Sequence, residues 1–430
     1  MKKILLLICI IGLFTPATLH AQDRANVFRH GKLDNGLTYY VRHTSMQPGK
    51  ADFYLVQNVG ALMEEDNQNG LAHFLEHMAF NGSESFKEGI PNFLKRRGVT
   101  RFNAQTGQDE TVYYMTAIPT NDTKLLDSCL LVMKDWSGFL LLKPDEIDKE
   151  RGVIREERRM RRNLGARLKE QSDPLVFNNS KYATRNVIGS EKIINNFTPE
   201  ELRAYYNDFY RPDLQAVIVV GDIDAAKIET EIQHLFNPIP KRKNPKPRLV
   251  YEIPDNSEPF YTKVFDKEMT ESSITLLKRV RQTPPASLKE MMKENLINLF
   301  YNQIVEKYLQ KYIETQDPAF VQTMVGFSGL VRNYDRWNIH VQAYPHKERQ
   351  ALKDLMEELD RINNKEVKEQ ITAYLSRLDE TEKNKDKFPN EVYVQMYQNN
   401  FLEGKPITSI EEDISLSREI LLKITAKDIQ

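Results

Sequence analysis

Gly70-Leu71-Ala72-His73-Phe74-Leu75-Glu76-His77-Met78-Ala79-Phe80 is the stretch on which the reading of the whole chain turns. Leu71, Phe74, Leu75 and Met78 recur at helical spacing and form one apolar face. His73 and His77 lie four apart, so on a helix they stand one above the other and can aim two imidazoles at one metal ion. Glu76 projects beside them. Zinc takes imidazole nitrogen at about 2.0–2.1 Å in a tetrahedral shell, and a catalytic site leaves one position for water. A carboxylate beside that water can take its proton during attack on a carbonyl. The competing reading is an amphipathic helix with a solvated His-Glu-His edge, and the apolar face exists either way.

The His-x-x-Glu-His order is that of the inverted zincin signature. In a chain with eight histidines, a chance match is on the order of one in a hundred. A third protein ligand has to come from elsewhere. The helix expected after Pro144 offers Glu146, Glu150, Glu156 and Glu157. Glu150 and Glu157 are seven apart and share a face, whereas Glu156 points about 100° away from Glu157. Arg151, Arg155, Arg158, Arg159, Arg161 and Arg162 suggest that most of this helix is a solvated, salt-bridged surface. Spacing alone leaves the choice of ligand open. Structural zinc is disfavoured, because it prefers cysteine-rich shells and only Cys129 is at hand.

Outward from the motif, the chain reads as two α+β parts. Upstream, Asn35-Gly36 is a hairpin signal before the β-rich run Leu37–Val41, and Ala51 to Val59 is a second strand candidate. Downstream come a helix at 90–97, a strand at Thr111 to Ile118, and helices at Thr123 to Leu142 and from Pro144 to about Asn163. A helix capped by Thr198 follows, and then the apolar strand Ala216 to Val220. Phe236 to Pro247 packs four prolines among basic residues and reads as a linker. Beyond it the pattern restarts with strands at Tyr261 to Phe265 and Ser273 to Lys278. A helix capped by Ser287, strands at Phe320 to Gly326 and Trp337 to Ala343, and mostly helix complete it.

The expected divisions are a signal peptide at 1–21, a zinc-binding domain at 22–236, a linker at 237–247 and a second α+β domain at 248–430. Met1-Lys2-Lys3, the apolar run Ile4 to Phe14 and the small-residue site before Gln22 make the signal reading. Export follows, with the periplasm favoured and the extracellular space as the other destination. No membrane anchor is expected after cleavage. Cys9 would leave with the signal, so no internal disulfide is expected. At the other end, Ile424 to Gln430 opens a helix and stops, so the second domain is expected to be cut short.

Composition narrows the function further. The 430 residues are 40% apolar and 28% charged, with 18 Gly and 20 Pro, which excludes disordered and fibrous classes. Sixty basic and 61 acidic residues give a net charge of -1, so no nucleic-acid partner is expected.

The motif, together with Phe102-Asn103-Ala104, Glu150-Arg151-Gly152-Val153-Ile154-Arg155-Glu156-Glu157, Tyr210-Arg211-Pro212-Asp213 and Val219-Val220-Gly221-Asp222, resembles the pitrilysin family of inverzincin metallopeptidases. The resemblance is clear over about residues 30–240. It implies two similar domains, each a mostly antiparallel sheet packed with helices, forming one half of a pitrilysin-type clamshell. It implies one Zn2+ per chain held by His73, His77 and Glu157, with Glu76 as general base and Glu150 orienting the site. The separation of His77 from Glu157 is a few positions longer than is usual in the family, which keeps Glu156 in view as the alternative ligand. Asn103 and Ala104 match a segment that binds substrate main chain, although Asn103 alone reads equally as a turn residue. Tyr113 and Trp136 read as core.

The family's opposite half supplies an Arg and a Tyr to the substrate, and residues 248–430 show no counterpart. Arg332 and Tyr334 read as structural. A second half, a partner subunit or a homodimer is therefore expected. The implied activity is zinc-dependent endopeptidase action on peptides or unfolded segments. The alternative is a non-catalytic peptide-binding or assembly subunit, against which the retained Glu76 argues.

Overall fold

The computed structural model describes residues 27–283, 287–361, 364–385 and 387–429, so the expected signal peptide lies outside the described residues. A first sheet is built from β1 (Phe28–Lys32), β2 (Thr38–His43), β3 (Lys50–Gln57), β4 (Phe102–Thr106), β5 (Thr111–Pro119) and β6 (Gln215–Gly221). Its order is β1-β2-β6-β3-β5-β4. Every pairing is antiparallel except β2 with β6. Asn35 and Gly36 turn the chain between β1 and β2. Gly36 takes φ +100°, and the Asn35 side chain donates to Phe236 O at 2.7 Å.

β6 shows why its sequence is a continuous apolar run: it is buried on both faces. Val217 and Val219 face the main core, while Ala216, Ile218 and Val220 face the other side. That other side is sealed by a helix from the far end of the chain, Asn390–Glu403, through Tyr393, Val394 and Tyr397. Tyr40 stacks on Tyr397 at 5.1 Å and donates to Asn400 Oδ1 at 2.7 Å.

Residues 237–271 contain neither helix nor strand. The strand expected at Tyr261 to Phe265 is therefore corrected to coil. Its alternation is strand-like, but Tyr261 is 87% exposed. The main chain of Phe265 pairs with the side-chain amide of Gln171 instead of a neighbouring strand. A second sheet then follows, made of β7 (Ser272–Arg281), β8 (Phe320–Val331) and β9 (Tyr334–Ala343), antiparallel in the order β7-β9-β8. The helix Leu288–Ile313 backs it through Val305 and Leu309.

The β8–β9 turn reaches into the first part of the chain. Tyr334 is buried in the main core, with its hydroxyl at the main chain of Ile253. Arg332 pairs with Glu110 at 2.6 Å and with Asn58. Both residues hold the two parts together. Among the described residues no helix is long and apolar enough to cross a membrane.

Candidate metal centre

The motif forms a helix, Leu71–Met78, whose apolar residues are buried. Phe74 meets Phe197 edge-on at 4.7 Å, and Trp136 Nε1 donates to Ala79 O at 2.9 Å just past the helix end. The helix Pro144–Arg161 packs against it. Its only buried residues are Ile147 and Ile154. On a 3.6-residue repeat, the stripe that buries those isoleucines also carries Glu150 and Glu157. Burying the helix thus delivers both glutamates to the histidines.

Glu157 Oε2 lies 3.2 Å from His77 Nε2 and 3.6 Å from His73 Nε2. Those three side chains form the one such group of potential metal ligands among the described residues, with ligand atoms within 4.8 Å of one another. Glu157 Oε2 is buried without a hydrogen-bond partner, while its Oε1 pairs with Arg161 at 2.5 Å. An unpartnered carboxylate oxygen facing two imidazole nitrogens fits a zinc ion. His77 turns its other nitrogen, Nδ1, to Glu150 Oε1 at 2.8 Å, which orients the ring. Glu156, the alternative, is exposed and bound to Arg159, away from the histidines.

Glu76 lies beside the cluster, with Oε2 3.9 Å from His73 Nε2. Burial pushes its carboxyl up, against a hydrogen bond from Thr106 Oγ1 at 2.8 Å. Burial holds His73 down to about 3, with His77 and Arg161 adding to the effect, so its ring is neutral and free to ligate. Burial also presses on His77, but the hydrogen bond to Glu150 and the surrounding carboxylates outweigh it and raise its pKa.

Asn103 and Ala104 sit in β4, paired with Tyr114 and Tyr113 of β5. Asn103 is a strand residue here, not a turn former. β4 is the outermost strand, so among the described residues one of its edges pairs with no other strand. Tyr113 and Trp136 are fully buried and stack at 5.4 Å. Sequence reasoning missed Thr106, Arg161 and Glu64. No spacing signal marks Thr106 or Glu64, because each bonds to a segment that only the folded chain brings beside it.

Two family models match: Insulinase (Peptidase family M16) over residues 40–171, and Peptidase M16 inactive domain over residues 196–378. The chain belongs to peptidase family M16, the pitrilysin family. The His73, His77 and Glu157 cluster lies within the first match. Among M16 relatives, "Zinc protease PQQL-like" of Arabidopsis thaliana is 26% identical over 93% of this chain and 40% of its own length. "Probable zinc protease PqqL" of Escherichia coli is 27% identical over 93% and 44%. This chain thus spans less than half the length of these curated relatives. The crystal structure of the first half of the periplasmic protease PqqL from Escherichia coli superposes with a TM-score of 0.86 at 25% identity, covering 94% of this chain and 87% of that one. The fold is that of a pitrilysin-type half.

Proposed function

We propose that this chain is the metal-bearing half of an exported zinc endopeptidase that hydrolyses peptides or unfolded segments. The observation that carries the reading is the convergence of Glu157 Oε2 on both imidazole Nε2 atoms, with Glu76 alongside. His73, His77 and Glu157 would hold one zinc ion, which when bound supplies a Lewis acid and a water of lowered pKa. Glu76 accepts the proton of the attacking water and returns it to the leaving amine. Thr106 keeps the Glu76 carboxyl in place, and Glu150 keeps the His77 ring in place. The open edge of β4 at Asn103 and Ala104 takes the substrate main chain as an added strand, which gives affinity without strong side-chain preference.

In this reading residues 1–21 direct export to the periplasm, and 22–236 and 248–430 are two domains joined by 237–247. The Asn390–Glu403 helix on the first sheet makes those domains act as one half. A second half faces the zinc side. Cleavage of a quenched fluorescent peptide library, with Glu76→Gln as the paired control, tests the activity. Hydrolysis that is lost in the control and on chelation supports the reading. Zinc binding without hydrolysis in either protein points to the non-catalytic subunit or to a missing half.

A further inference from the structure

The helix that carries His73, Glu76 and His77 starts without a cap of its own. Its N-cap position is Gly70, at φ +107°, which has no side chain with which to close the first turn. Glycine is needed there twice over. The positive φ disfavours other residues, and a Cβ would sit 2.7 Å from the Cα of Gly189. The usual caps, Ser, Thr, Asp and Asn, are therefore shut out.

The open amides are met from six residues upstream. Glu64 Oε2 accepts from Gly70 N at 3.0 Å, and Glu64 Oε1 accepts from Ala72 N at 2.8 Å. Glu64 is completely buried, at the positive end of the helix. Burial pushes its carboxyl up to about 8, against the pull of those two amides. The segment that bears it is itself anchored. Lys181 Nζ donates to Glu64 O at 2.9 Å, and Arg185 Nη1 donates to Glu65 O at 3.3 Å. On the far side of Gly70, Ser190 N donates to Asn69 O at 3.2 Å. Arg158, one residue beyond Glu157, donates to Gly189 O at 2.5 Å. The start of the motif helix and the helix bearing Glu157 are thus fastened to the same loop.

A helix of eight residues has little stability of its own and takes its orientation from what holds its ends. We propose that Glu64 is a positioning residue: it fixes the pitch and rotation of the motif helix, and so the distances among His73, His77, Glu76 and Glu157. This inference rests on the zinc-peptidase reading and names a residue through which that site is held.

The test compares the whole chain with Glu64→Gln, Glu64→Asp and Leu126→Ala, the last being a core truncation on another helix. Zinc affinity is read by chelator competition, and ligand geometry by the visible absorption of the cobalt(II)-loaded protein. The thermal midpoint of the metal-free form and separate kcat and KM values complete the set. The expected result is zinc bound about ten- to a hundredfold more weakly by both Glu64 variants, as for residues that orient metal ligands. The cobalt bands shift, and kcat falls while KM stays. Leu126→Ala loses thermal stability but keeps the affinity and the spectrum. If Glu64→Gln does not fold, the shorter Glu64→Asp carries the comparison. Glu64 variants with wild-type affinity and spectrum, and only a lower midpoint, overturn the proposal. A wild-type chain that binds zinc but cleaves nothing counts against hydrolysis by this half alone, and affinity and spectrum still judge Glu64. A wild-type chain that binds no zinc overturns both.

Discussion

In the proposed reading Thr106 and Glu150 each hold a working side chain by one hydrogen bond, and the two are separable by experiment. Thr106 donates to Glu76, and its loss leaves the metal ligands untouched. A hydrogen bond to a charged group is worth about 1.5–3 kcal/mol. Thr106→Val should therefore lower kcat about ten- to a hundredfold with zinc content unchanged, and Thr106→Ser should restore it. Steady-state kinetics beside metal analysis decides this, and an unchanged kcat removes Thr106 from the machinery. Glu150 acts on the ligand instead, through His77 Nδ1. Glu150→Gln should weaken zinc binding about tenfold, within the range seen when such partners are changed. Glu156→Gln should leave zinc binding as it is, because Glu156 is exposed and faces Arg159. Equal effects of the two substitutions in a chelator titration would contradict the geometry.

Elements position those residues, and here packing does what sequence spacing cannot. Gly189 takes φ +85°, and a Cβ on it would lie 2.4 Å from the Cα of Gly70. Gly189→Ala must push the loop and the start of the motif helix apart. It should lower the thermal midpoint and weaken zinc binding together, whereas Gly98→Ala, also at positive φ but with open space, should lower the midpoint alone. Differential scanning calorimetry with zinc titration separates the two. What was legible follows the same line. The motif helix, β6 and the proline-rich coil after Phe236 each carry a local pattern, so each could be read from the residues. The Glu150 and Glu157 register was legible as a shared face. β4 was not: Phe-Asn-Ala-Gln-Thr is short and polar, and becomes a strand by pairing with β5. Tyr261 to Phe265 failed in the opposite sense, having the alternation but no partner strand. Glu64 and Thr106 are invisible to spacing, because each bond joins segments that only the folded chain brings together.

At the scale of the whole molecule, the two parts meet where the Asn390–Glu403 helix begins. Asp52 of β3 is buried there. Its Oδ1 accepts from Ala117 N at 2.7 Å, and its Oδ2 accepts from Asn390 Nδ2 at 3.0 Å. Burial raises its carboxyl, opposed by those two bonds, with Glu391 raising it further and Arg101 lowering it. The folded chain therefore keeps this proton to a higher pH than the unfolded chain does. Its contribution to stability is complete below the ordinary carboxylate range, near about pH 4, and is lost as the pH rises through the folded value. Asn390 Oδ1, meanwhile, is buried without a partner. Asp52→Asn removes the charge and offers an amide. A half-turn of the Asn390 side chain then gives its oxygen a donor, at the loss of its long bond from Nδ2 to Val220 O at 3.4 Å. The expected outcome is a variant more stable than wild type by about 1 kcal/mol at neutral pH, because the folded chain no longer buries a charge there. Its advantage should shrink as the pH falls through the raised folded value of Asp52 toward the ordinary carboxylate range. Urea midpoints measured across that range test the sign. An advantage that grows as the pH falls, or a variant less stable at neutral pH, would show that the two amides already compensate the buried charge. The junction would then be held by the carboxylate and not strained by it.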